Sequence, residues 1–171
     1  MTRCFSMSAA AIALAALPVA ACAQDYGETA ASASAPAANT KQTTMPEDPQ
    51  ELAFYSQAGF SEAVIHGDTV WLSGIVLGPV KEGQTEQEMY AEGLERIGRK
   101  LERAGSSWDD VLDITTYHVD IDSSLATFAR AKYAYVKAPY PAWTAIGIDK
   151  LFRDDGLIEI KIVARVTPEA E

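Results

Sequence analysis

Cysteine, histidine and positive charge are all scarce in this chain of 171 residues. The two cysteines are Cys4 and Cys22, so the segment after residue 22 cannot hold a disulfide of its own. The two histidines, His66 and His118, are far apart and no His/Cys/Asp cluster has metal-ligand spacing, so no metal is expected. Lysine and arginine number 14 against 24 aspartates and glutamates, a net charge of −10. A field of that sign repels phosphate backbones and argues against a nucleic-acid partner. No apolar run reaches the ~18–20 residues of a membrane-spanning helix. No internal repeat is visible and no glycine-rich loop is spaced to cradle a phosphate, so no cofactor is expected. Ser73 has no identifiable base, which leaves no Ser-His-Asp arrangement to argue for.

At the N-terminus, Arg3 precedes an Ala- and Leu-rich run from Ala9 to Ala21, the pattern of an export signal over residues 1–22. Val19-Ala20-Ala21-Cys22 has the form of a bacterial lipobox, in which a lipidated Cys22 becomes the first residue and gives the chain its one link to a membrane. Ala21-Cys22-Ala23 also suits ordinary cleavage before Gln24, which would release a soluble periplasmic protein. The lone thiol at Cys22 favours the lipobox. Residues 23–50 are rich in Ala, Ser, Thr and Pro and poor in large apolar residues, as in a flexible tether. The folded domain is expected over residues 51–171.

Within that domain, two β-branched runs, 61–66 and 69–77, flank Gly67-Asp68 as the arms of a hairpin. Thr85-Glu86-Gln87-Glu88 is a capping box. Tyr90, Leu94, Ile97, Leu101 and Ala104 then recur at gaps of four and three, the stripe of an amphipathic helix closed by Gly105. Gly93 and Gly98 inside it suggest close approach to a sheet. A strand over 111–119, a second helix over 125–137 capped by Asp122 or Ser123, and strands over 142–148 and 157–166 complete the order β-β-α-β-α-β-β. In the last strand Ile158, Ile160, Ile162 and Ala164 share one face. This order predicts an α+β domain, one mixed sheet with two helices on one face.

The ordered set of segments resembles the RidA/YjgF family. Tyr55-Ser56-Gln57-Ala58 is similar to its N-terminal Tyr-Ser-x-Ala segment, and 67–74 to its hairpin ending in Ser-Gly. The run 101–111 is similar to its helix-to-strand junction, and Pro141-Ala142 with Ile158-Glu159-Ile160 to its C-terminal half. The resemblance covers about residues 51–166. It implies a chorismate-mutase-like fold, a homotrimer, and a small-molecule ligand in clefts between subunits. It also implies hydrolysis of reactive imines and enamines such as 2-iminobutanoate to 2-oxo acids and ammonia.

The same resemblance assigns site residues. Ser73 and Gly74 line the cleft, Gly74 offering an N–H to an anion. Tyr55 covers the ligand, and Glu159 positions water as the catalytic acid. The family's arginine after Pro-Ala is Trp143 here, which has no charge and cannot fork onto a carboxylate. That loss costs at least ~1.5–3 kcal/mol of binding. The glutamine that often follows Ser-Gly is Ile75. A cleft asparagine three residues before a helix tyrosine is Arg130, which would return a cation from another direction. Each position also has a plainer role: Glu159 in an ion pair with Lys161, Tyr55 in packing, Trp143 filling the cleft, Arg130 in solvent. Two further readings therefore stay open, a hydrolase or isomerase for a non-carboxylate substrate and a non-catalytic binding or interaction trimer.

Overall fold

The computed structural model describes residues 41–167. The export signal, Cys22 and most of the tether lie outside them. The described chain runs β1 (Gln42–Thr44), α1 (Pro49–Ala58), β2 (Ala63–His66), β3 (Thr69–Leu72), β4 (Ile75–Leu77), α2 (Glu86–Arg103), β5 (Val111–His118), α3 (Ile121–Lys132), β6 (Ala142–Gly147) and β7 (Ile158–Arg165). All seven strands form one mixed sheet in the order β1-β2-β3-β7-β5-β6, with β4 also on β7. Only β5 and β6 pair in parallel. The α+β architecture is the expected one, with three α-helices among the described residues where the sequence suggested two.

Three elements differ from expectation. Gln42–Thr44, assigned to the tether, pairs with Ile65–Ala63, so the sheet begins within the 23–50 segment. Helix α1 replaces an irregular start: Asp48 accepts from the N–H groups of Gln50 and Glu51, Pro49 sits in the first turn, and Gly59 closes the helix at φ 76°. Helix α3 starts earlier than read because Asp120 rather than Asp122 or Ser123 caps it, accepting from the Ser123 N–H at 3.2 Å, and it ends earlier, at Lys132.

The core lies between one sheet face and the helices. Ile158, Ile160, Ile162 and Ala164 are buried there with Val70, Leu72 and Ile114, as the period-two pattern requires. From α2, Met89, Tyr90, Leu94, Ile97 and Leu101 face them. A Cβ on Gly93 would stand 2.5 Å from the Leu77 side chain, so this glycine lets α2 approach β4. The capping box holds: Glu88 N–H donates to Thr85 Oγ1 at 3.2 Å and Thr85 N–H to Glu88 at 2.7 Å.

One charge cluster is buried with the core. Glu62, just before β2, takes hydrogen bonds from Lys100 and from the Arg103 guanidinium of α2. Burial alone would raise the Glu62 carboxyl, but these two cations outweigh it and hold it below the usual carboxylate range.

Candidate functional site

The second hairpin arm breaks at Ser73-Gly74, and the break positions the site. β3 pairs with the C-terminal half of β7 and β4 with its N-terminal half. Gly74 lies between them, directly under the Glu159 side chain. A Cβ there would fall 1.9 Å from a Glu159 carboxylate oxygen, so a side chain at 74 would push that carboxylate from its present place. Ser73 is anchored twice: its N–H donates to the Glu62 carbonyl at 3.0 Å and its hydroxyl to the Ser61 carbonyl at 2.7 Å. With its proton committed, the hydroxyl is left as an acceptor.

Glu159 faces the side of the sheet away from α2 and α3, opposite Tyr117 on β5 and Val76 on β4. Among the described residues it has no ion-pair partner, and the pair with Lys161 does not form. Ser73, Gly74, Glu159 and Phe152 together form a wall shared by two cavities. One, of about 600 Å³, opens on the uncovered sheet face beside Trp71, Tyr117 and Lys161. The other, of about 590 Å³, lies toward the helices and is bounded by Phe54 and Tyr55 of α1 and by Arg96 and Lys100 of α2.

Tyr55 thus joins Ser73, Gly74 and Glu159 around one cavity. Its ring packs on Phe60 at 4.2 Å between centroids, and Lys100 Nζ lies 6.0 Å from its ring centre. Burial, followed by the fields of Glu51 and Glu62, pushes its phenol upward, so it stays a protonated donor.

Trp143 and Arg130 are not brought to this cavity within the protomer. Trp143, on the edge strand β6, packs under α3 against Phe128, with ring centroids 6.0 Å apart. It lines a separate groove of about 590 Å³ with Leu125, Ala126, Ala129 and Ala145. Arg130 is exposed and donates to Thr127 Oγ1 at 3.0 Å. The cation beside Trp143 is Lys132, whose Nζ sits 3.5 Å from the indole ring centre. Lys132 is buried, and that desolvation lowers its ammonium.

His118 is a fully buried strand residue in a hydrogen-bonded chain that starts at Trp143. Trp143 Nε1–H donates to Thr116 Oγ1 at 3.1 Å, which lies 3.0 Å from His118 Nε2. His118 Nδ1 lies 2.7 Å from Ser124 Oγ, whose own proton goes to the Asp120 carbonyl at 2.5 Å. We assign the proton to Nδ1, since Ser124 has none left to give. Burial pushes the imidazole below its usual pKa, in keeping with this neutral form.

Sequence reading missed Arg96, Lys100, Phe152 and Arg153 as cavity residues. Arg96 and Lys100 are four apart on α2 and so share a face, but that spacing does not set them apart from other charges on the helix. Phe152 and Arg153 lie in the loop before β7, where no periodicity marks them.

The fold has counterparts in known proteins. The model of the family described as Endoribonuclease L-PSP matches residues 50–166. The RutC family protein YjgH of Escherichia coli is 31% identical over 118 residues, 67% of this chain and 88% of that protein. The structure of NMB1025 from Neisseria meningitidis, a YjgF protein, is 29% identical at a TM-score of 0.61, covering 77% of this chain and 98% of that one. Rv2704 of Mycobacterium tuberculosis, of the YjgF/YER057c/UK114 family, shares the fold at 22% identity and a TM-score of 0.62, covering 74% of this chain and all of that one. A family match spanning the whole α+β domain, together with a relative at this identity, makes the chain a member of the L-PSP family, the YjgF/RidA group.

Proposed function

We propose that this protein is an exported homotrimer that hydrolyses the C=N bond of small imines in clefts between subunits. The observation that carries the reading is Glu159, a carboxylate without an ion-pair partner among the described residues, seated on Gly74 in a cavity wall. Hydrolysis of an imine consumes one water. The water attacks the carbon, its proton passes through the carboxylate to nitrogen, and the resulting aminoalcohol collapses to a ketone and ammonia. Glu159 supplies the proton relay, the Gly74 N–H a hydrogen bond to the substrate, and Tyr55 a neutral donor. The family resemblance would bring Trp143 of a neighbouring subunit to this wall.

Trp143 sets the substrate preference. An indole in place of a guanidinium weakens the hold on a small 2-imino acid, so 2-iminobutanoate is a slow substrate. The family's descriptive name speaks of ribonuclease activity. A net charge of −10 opposes binding of RNA here, and His118 is buried and already hydrogen-bonded.

The test is ammonia release from freshly generated 2-iminobutanoate, measured above the uncatalysed rate. Glu159→Gln should lower the catalysed rate on the order of 100-fold, the usual worth of a positioned acid–base group. A Glu159→Gln variant as fast as the parent would end the hydrolytic reading and leave a ligand-binding trimer in its place.

A further inference from the structure

The helix-side cavity is lined by charges that differ in how far they are committed. Lys100 is tied to Glu62, with Glu51 3.9 Å away. Arg153 is forked onto Asp155, with bonds of 3.0 and 2.9 Å. Arg96 has no carboxylate within ion-pair distance among the described residues. Its guanidinium makes one long bond, 3.3 Å, to the Val76 carbonyl. Glu159 is likewise unpaired. The cavity therefore presents one uncommitted guanidinium at its mouth and one uncommitted carboxylate in its wall.

A ligand that satisfies both carries a carboxylate for the guanidinium and an N–H or N–H⁺ group for Glu159. A 2-imino acid in its zwitterionic form has that charge pattern. Beside these charges the cavity has an apolar stretch that includes Phe54, Phe60, Ile75 and Phe152, and its volume of about 590 Å³ exceeds a four-carbon molecule; Phe54 is 46% and Phe152 83% exposed at its rim. Aromatic side chains left so open are unfilled contact surface for an apolar substituent.

We propose that the cavity between α1, α2 and the Ser73-Gly74 break takes 2-imino and 2-oxo acids with a large apolar side chain, with Arg96 holding the carboxylate. Arg96 thereby supplies from within the protomer the cation that Trp143 lacks. The assignment deepens the hydrolytic reading and rests on it for the role of the substrate, but binding can be measured without turnover.

The experiment is calorimetric titration of the full chain with phenylpyruvate and with phenylacetone, the same skeleton without the carboxylate. The parent should bind phenylpyruvate at least roughly tenfold more tightly, the worth of a charge-assisted hydrogen bond. Arg96→Met should erase that difference while leaving phenylacetone unchanged, and Arg96→Lys should restore part of it. Arg96 is exposed on its helix, so folding should survive both changes, checked by an unaltered melting temperature. A parent without preference for the acid, or an Arg96→Met variant that keeps it, would overturn the assignment. If the preference depends on Arg96 but Glu159→Gln hydrolyses imines normally, the binding assignment stands and the hydrolytic one fails.

Discussion

Trp143 is fixed through its N–H, by Thr116, and through its ring face, by Lys132. A return to arginine at this position therefore does more than restore a charge. Trp143→Arg alone sets a guanidinium under a buried ammonium, a repulsion between about 1 and 4 kcal/mol at the dielectrics of water and a protein surface. It also removes a cation–π contact worth ~0.5–2 kcal/mol. Trp143→Arg should lower the melting temperature, and Lys132→Met in the same chain should recover much of the loss. The double variant should hydrolyse 2-iminobutanoate faster than the parent. If both variants melt alike, Lys132 does not sense residue 143. His118 makes a pH prediction. Burial lowers its folded pKa below the unfolded value of about 6.5, so the unfolded chain binds the extra proton first. Stability is therefore full above about pH 6.5 and falls as the pH drops below it. Thermal melts from pH 7.5 to 5 should show this slope, and His118→Gln should flatten it.

Between elements, the strongest tie is the one from Glu62 to Lys100 and Arg103, which binds the entry of β2 to the last turns of α2. It also supports the site, because the Glu62 carbonyl receives the Ser73 N–H. Glu62→Gln would leave the Lys100 ammonium, 5% exposed, with only Glu51 at 3.9 Å. Breaking a buried pair in this way costs roughly 3–5 kcal/mol, readable as a lower denaturant midpoint with little change in slope. A loss below about 1 kcal/mol would show that water reaches Lys100 freely. The elements with strong periodicity were legible in the sequence: the α2 stripe, its capping box, and the alternating face of β7. Helix α1 was not, because it buries none of its residues. Its signals were the caps alone, Asp48-Pro49 before it and Gly59 after. The break between β3 and β4 was equally hidden, since Ser73-Gly74 interrupts a run of β-branched residues that reads as one strand. The Ser73, Gly74 and Glu159 grouping was legible by family resemblance. Arg96 was not, because a charge on the polar side of an amphipathic helix looks like any solvated residue.

For the molecule as a whole, the uncovered sheet face carries Trp71, 38% exposed, and Ile146, 39% exposed. A face of this kind suits a partner surface, and the proposed trimer would supply one. Light scattering coupled to size exclusion should return three times the subunit mass for the mature chain; a stable monomer would remove the shared cleft. Mass spectrometry of the membrane fraction should find an acylated Cys22, whereas a chain beginning at Gln24 would place the protein free in the periplasm. The position of β6 matters at this scale as well. It is the last strand on its side of the sheet, and Ala142-Trp143-Thr144-Ala145-Ile146-Gly147 holds neither charge nor proline. Such a margin is a template for stray strand addition, the first step toward insoluble fibrils. A mutation that separates the subunits should therefore raise turbidity as well as abolish turnover at the shared cleft, in which case assembly would guard the protein against itself.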